Sequence, residues 1–247
     1  MTEEDIKILN AWRTPRVGLK KFWNMPELYI DTPVRQETRK EYELLSSLEC
    51  SLWTYRTYPS YLKNKDVPPC FWYKGNPTLF EKGPMVGIVG SRSIPSFILD
   101  RVKNRLSILL SSLSQETVCS GLARGCDTLA HEQRLDSVAF LPCSIDKVYP
   151  YSNRELKEEI SLTGLCISPW SPYSVPLVET WRLLGRTDFL LHCCKEIYVL
   201  YAHLGSGSEY TIAKALKQGL PVTLFTYEKE EHPLKRKYPQ ITLIKDV

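Results

Sequence analysis

The 247-residue sequence is short of the features that announce the commonest chemistries. No two of its eight cysteines form a C-x-x-C, and none is spaced from its four histidines as a finger requires, which excludes the usual structural zinc modules. No apolar run approaches the roughly 20 residues that span a bilayer. The opening stretch, MTEEDIKILNAW, lacks the apolar core of a signal peptide. The sequence therefore predicts a cytoplasmic protein with no membrane partner. Its thiols (Cys50, Cys70, Cys119, Cys126, Cys143, Cys166, Cys193, Cys194) are expected to be reduced and used as small buried hydrophobes. No internal repeat or low-complexity segment is present. No G-x-G-x-x-G occurs and no G-K-[ST] follows a glycine loop, so neither NAD binding nor P-loop ATP hydrolysis is supported, and no cofactor or metal is expected. Charge of one sign is also scarce: 32 basic against 28 acidic residues leave +4. A general nucleic-acid binder shows a stronger or more clustered excess, so any anion site has to be local.

What is present is ordinary core material, 43% hydrophobic and 24% charged. A chain of this length buries roughly 75% of its extended-state surface and needs no disulfide support. From residue 84 onward, strands and helices alternate. Apolar runs at Met85–Val89, Thr117–Cys119, Ser137–Leu141, Leu165–Ser168, Ile197–Tyr201, Pro221–Tyr227 and Ile241–Ile244 read as strands covered on both faces. Between them, Ile98, Val102, Leu106, Leu109 and Leu113 mark one helical face. Further helices are expected at Asp127–Leu135, Asn153–Ile160 (Asn153 as N-cap), Glu179–Leu191 and Glu209–Lys217. The expected architecture is α/β: an extended Rossmann-like, doubly wound, mostly parallel sheet. Residues 1–57, without strand alternation, read as a small helical N-terminal module, and 58–247 as the core. Cys70–Tyr73 is a possible added strand, and Glu228–Lys237 a solvated turn.

Three turns fall where such a sheet binds ligands, at strand carboxyl ends leading into helices. They are Gly90-Ser91-Arg92, Ser120-Gly121-Leu122-Ala123-Arg124-Gly125 and Gly205-Ser206-Gly207-Ser208. Small residues let a backbone approach closely and leave N–H groups to meet an anion, helped by the helix dipole. Arg92 and Arg124 add planar, bidentate cations suited to phosphate. The stretch Lys147 to Arg154, with Tyr149 and Tyr151, mixes cations and aromatics as single-strand binders do, and equally as a surface turn does. Asp127 and His131, four residues apart, are read as structural: no Ser, Cys or second carboxylate completes a catalytic set around them.

Several segments together resemble the DNA-processing protein A family (DprA, also called Smf). They are GIVGSRSIPS at Gly87–Ser96, SGLARGCDTLAH at Ser120–His131, the run from Ile145-Asp146 through Tyr149-Pro150 to Asn153, and SGSEYT at Ser206–Thr211, preceded by Tyr58–Asn76. The resemblance covers about Tyr58 to Phe225. It implies a core that binds single-stranded DNA and helps load a RecA-type recombinase in natural transformation and recombination, as a homodimer without catalytic turnover. Carried over by motif, Gly90, Ser91 and Arg92 would hold phosphate, with Ser120, Gly121 and Arg124 lining the same pocket. Lys147, Tyr149 and Asn153 would form its rim, and Ser206, Gly207 and Ser208 its far side. The family's R-N-R element appears as Arg186-Thr187-Asp188, and its Gly-rich turn after the third strand as Pro142-Cys143-Ser144. No C-terminal winged helix is expected, and TPRVGLKKFW lacks the paired glycines of a helix-hairpin-helix. The rival class is a nucleoside-monophosphate phosphoribohydrolase of the LOG type, whose P-G-G-x-G-T-x-x-E is here Leu204-Gly205-Ser206-Gly207-Ser208-Glu209. A nucleotide-sensing module is the third.

Overall fold

Apolar runs of three to six residues, each ended by a turn, supply the strands. A computed structural model describes residues 2–14, 18–62, 66–173, 178–228 and 232–246. Within them the strands are β1 (Ser51–Thr54), β2 (Cys70–Gly75), β3 (Met85–Val89), β4 (Val118–Ser120), β5 (Val138–Phe140), β6 (Leu165–Ser168), β7 (Cys194–Val199), β8 (Val222–Thr226) and β9 (Thr242–Lys245). They form one sheet in the order β1-β2-β6-β5-β4-β3-β7-β8-β9. The β1–β2 and β2–β6 pairs are antiparallel. From β6 to β9 every neighbour is parallel.

The chain therefore walks outward from β3 through β4 and β5 to β6, then returns along the helix Thr180–His192 to β7 on the other side of β3. Strand order reverses between β3 and β7, and a crevice opens beyond their carboxyl ends. On one sheet face the helix Ser96–Ser112 seats Ile98, Val102, Leu106 and Leu109 against Val86 and Ile88 of β3. Each such burial is worth about 1.5–3 kcal/mol. On the other face, Phe189 and Leu190 of the returning helix join Phe71, Phe80, Phe140 and Ile197. This anchoring fixes where Arg186, one turn earlier, can point.

The N-terminal helices Glu3–Trp12, Leu19–Asn24, Pro26–Ile30 and Gln36–Ser47 are fastened to the sheet edge. A capping box between Thr2 and Asp5 starts the first of them. Ile8, Leu9, Phe22 and Leu45 share one cluster with Trp72 of β2 and Cys166 of β6. Beneath them Arg13 Nη2 meets Glu41 Oε1 at 2.8 Å. Glu41 also accepts hydrogen bonds from Trp72 Nε1 at 2.9 Å and Ser171 Oγ at 2.7 Å, while Arg13 Nη1 donates to the Pro169 carbonyl at 2.8 Å. Burial and the Arg13 guanidinium oppose each other at Glu41, and its carboxyl ends below the usual range.

Two sequence expectations change. Ser51–Thr54, assigned to the helical module, is β1, so the sheet begins before residue 58. Four residues at an antiparallel edge are too few for alternation to show. The supposed solvated turn contains the helix Pro233–Lys237, whose Leu234 is buried and whose His232 ring accepts from Leu234 N. Residues 15–17, 63–65 and 229–231, parts of three motifs read in the sequence, lie outside the described residues. All eight cysteines are free and buried.

Candidate functional site

The three glycine-containing turns converge at the β3–β7 crevice because backbone bonds tie them together. Ser91 N donates to the Tyr201 carbonyl beyond β7 at 2.7 Å, and Cys126 N donates to the Ser91 carbonyl at 3.1 Å. The approach demands glycine. A Cβ on Gly90 would stand 2.5 Å from Cys126 Sγ, and one on Gly125, whose φ is +76°, would stand 2.3 Å from the Ser91 oxygen.

Two adjoining clefts result. The larger, about 510 Å³, lies between Gly90-Ser91-Arg92, the Ser206–Ser208 turn and the helix Thr180–His192. The smaller, about 350 Å³, is bounded by Gly121, Arg124, Pro142, Tyr149 and Tyr151. Arg92, Ala123, Leu183 and Arg186 line both, so the two read as one groove divided by a pair of guanidinium groups.

Those two cations differ in environment. Arg186 is buried, 3.6 Å from Asp127 through Nη1 and Oδ2. Burial first, then the neighbouring charge of Arg92, weakens its hold on its proton, opposed by Asp127. Burial likewise raises the Asp127 carboxyl, against the pull of Arg186 and of the Ala123 N–H, which bonds Oδ2 at 3.2 Å. Arg92 and Arg124 are exposed and enter no ion pair among the described residues. Two unneutralised guanidinium groups beside a buried third make the groove locally positive, although the whole chain is not.

At the far wall, Ser206 caps the helix Gly207–Lys217: its Oγ accepts from Glu209 N at 3.3 Å and donates to the His203 carbonyl at 2.6 Å. Gly207 and Ser208 of that first turn line the larger cleft, and N–H groups at the start of a helix have no intrahelical acceptor. Glu209 is turned aside, accepting from Gly205 N at 2.6 Å and from Lys237 Nζ at 2.5 Å. Asp188 lines neither cleft. It holds Lys214 at 3.3 Å and Tyr210 OH at 3.2 Å.

Of the residues singled out in the sequence, Gly90, Ser91, Arg92, Gly121, Arg124, Tyr149, Arg186, Ser206, Gly207 and Ser208 line the groove. Ser120, Lys147 and Asn153 line neither cleft, and each is bonded to the scaffold. Ser120 Oγ donates to the Ile88 carbonyl at 2.6 Å, and Lys147 Nζ to the Pro172 carbonyl at 2.6 Å. Asn153 Nδ2 bonds the Leu122 carbonyl at 3.0 Å and Thr128 Oγ1 at 2.9 Å, holding the Ser120–Gly125 turn instead of capping its own helix. Leu122 of that turn is buried with φ at +55°, a conformation such a clasp helps maintain. His131 is interior, its Nδ1 2.7 Å from Ser137 Oγ. Asp127 contributes more than a helix charge, since it also aims Arg186. Thr180, Leu183 and Thr187 were missed. Their spacing marks one helical face, but nothing in a sequence tells a face against a core from a face against a cleft.

A family model described as DNA recombination-mediator protein A matches residues 50–236. The chain is 26% identical over 226 residues to the DNA processing protein DprA of Streptococcus pneumoniae, covering 88% of this chain and 73% of that one. Its fold is similar to the X-ray structure of the S. pneumoniae protein, with a TM-score of 0.70 at 23% identity, over 97% of this chain and 89% of the other. It is also similar to DNA processing protein A from Helicobacter pylori, described as having a unique single-stranded DNA binding mode. There the TM-score is 0.69 at 24% identity, over 79% and 91% of the two chains.

Proposed function

The chain belongs to the DNA recombination-mediator protein A family, and from that premise we propose that it binds single-stranded DNA in the divided groove at the β3–β7 crevice. Phosphates meet Arg92, Arg124 and the N–H groups of Gly207 and Ser208, with Arg186 as a fixed charge behind them. Bases lean on Tyr149 and on Tyr151, which is 74% exposed. The bound strand is then passed to a RecA-type recombinase by a homodimer, in the cytoplasm, during transformation or general recombination. No step of this requires turnover.

The observation that carries the reading is the pair of adjoining clefts sharing Arg92 and Arg186, with Arg92 unneutralised. Support also comes from the H. pylori relative, described as binding single-stranded DNA. The phosphoribohydrolase alternative needs a carboxylate free to act at a glycosidic bond. Asp127, the carboxylate lining the larger cleft, is ion-paired, and Glu209 is bonded elsewhere. This favours binding over cleavage.

The test is a fluorescence titration with oligo-dT beside duplex DNA at two salt concentrations. Binding should prefer the single strand, with a log–log salt slope near −0.7 per neutralised phosphate. Arg92→Ala with Arg124→Ala should weaken it on every sequence alike, since phosphate contacts carry no base information. Unchanged affinity in that double variant overturns the reading.

A further inference from the structure

The smaller cleft has two walls that come from different parts of the chain. Gly121, Ala123 and Arg124 belong to the turn after β4, whereas Val148, Tyr149 and Tyr151 belong to the segment that leads into the helix Arg154–Thr163. Both walls are connecting segments, the parts of a fold least fixed by sheet and helix packing. Something else has to set the gap between them. Among the described residues, hydrogen bonds join these walls only through Asn153, which stands two residues past Tyr151 and is 5% exposed.

The side-chain amide of Asn153 carries two protons and spends both across that gap. Nδ2 donates to the Leu122 carbonyl at 3.0 Å and to Thr128 Oγ1 at 2.9 Å. Thr128 Oγ1 donates in turn to the Ala123 carbonyl at 2.8 Å, so its one proton is committed and its remaining bond must come from a donor. The Ala123 N–H is taken by Asp127 Oδ2 at 3.2 Å. Leu122, buried with φ at +55°, is therefore kept in a left-handed conformation by bonds to its own carbonyl and to the residue after it. Gly121, on which Arg186 lies, directly precedes Leu122, and Arg124 follows two residues later. The placement of both guanidinium groups thus depends on one peptide that Asn153 holds.

We propose that Asn153 is a positioning residue for single-strand binding: it sets the distance between the tyrosine wall and Arg124, so that one strand can lean a base on the first and rest a phosphate on the second. The proposal deepens the function argued above and rests on it. Asn153 itself lines neither cleft and acts through the Leu122 peptide. Without its amide, Leu122 is free to leave the left-handed region, and Arg124 moves with it while Tyr149 and Tyr151 remain. The cost then falls on the Arg124 contact and on no other.

The experiment is a double-mutant cycle on oligo-dT affinity at two salt concentrations, with folding of every variant followed by circular dichroism. Asn153→Ala and Thr128→Val are each measured alone and together with Arg124→Ala, beside wild type and the Arg92→Ala, Arg124→Ala variant. Asn153→Ala should weaken binding about tenfold and flatten the salt slope by about 0.7, the share of one phosphate. On the Arg124→Ala background it should cost no more than about twofold, because the contact it serves is already gone. Thr128→Val breaks the relay to Ala123 while leaving Asn153 in place. It should show the same coupling, and it carries the test if Asn153→Ala does not fold. Equal weakening with and without Arg124 would make Asn153 a structural prop and overturn the proposal. So would wild-type affinity in the folded single variants while the double arginine variant binds weakly, an outcome that leaves the groove intact. Wild-type affinity in the double arginine variant would overturn the groove, and the proposal with it.

Discussion

Arg186 lies so close over Gly121 that a Cβ added at residue 121 would stand 1.0 Å from Nη1. The glycine of the turn after β4 is thus the bed of a guanidinium from a helix more than sixty residues later in the chain. Gly121→Ala must displace Arg186, break its pair with Asp127 and narrow both clefts. Destabilisation of about 1–3 kcal/mol is expected, with weakened binding to oligo-dT. Chemical denaturation and the titration described above read the two effects separately. Full affinity in the variant would mean that Arg186 does not shape the groove.

His131 makes stability depend on pH. Burial, helped by the Arg186 charge, pushes its pKa down to about 3 from an ordinary 6.5. In the unfolded chain the ring takes its proton near 6.5, whereas the folded protein refuses it until about 3. Across that window the unfolded state holds the extra proton, so stability falls as pH falls, by about 1.4 kcal/mol per unit. His131→Gln should flatten this limb. The check compares urea midpoints of the two proteins at about pH 7.5 and about pH 5.

Asp188 neutralises the Lys214 ammonium at 3.3 Å. It pairs with Lys214 on the helix whose first turn walls the larger cleft. Asp188→Asn should release that charge, tighten binding at low salt and make the salt slope about 0.7 more negative if Lys214 gains one phosphate. An unchanged slope would mean that Lys214 stays out of reach of the strand.

Glu41 should be the most sensitive position outside the groove. Removing its carboxylate in Glu41→Ala leaves the largely buried Arg13 guanidinium and Trp72 Nε1 without their shared partner, at a cost of about 3 kcal/mol. Arg13 also holds the Pro169 carbonyl, just before Trp170, so loosening should spread toward the groove. Hydrogen exchange should speed first in the N-terminal helices and the segment after β6.

Much of this protein was legible without coordinates. The parallel core, the helical face from Ile98 to Leu113 and the three small-residue turns all follow from local patterns, because strand length, helical period and turn chemistry are properties of neighbouring residues. The same patterns misassigned Ser51–Thr54, whose partner Cys70 to Tyr73 lies beyond a connector, and the tail around Leu234. They also grouped Ser120, Lys147 and Asn153 with the groove residues, although these three line neither cleft and each donates to a carbonyl that only folding brings near.

By itself, then, the sequence determined most of the segments that become strands, where the backbone must turn tightly, and that Arg92 and Arg124 stand in two of those turns. Tertiary structure alone decided that Arg186 rests on Gly121 against Asp127, that Asp188 neutralises Lys214, and that Asn153 holds the Ser120–Gly125 turn. The reason is physical: backbone preference is set within a few residues, whereas the pairing of buried charges and the choice between cleft and core depend on segments that meet only when the sheet has assembled.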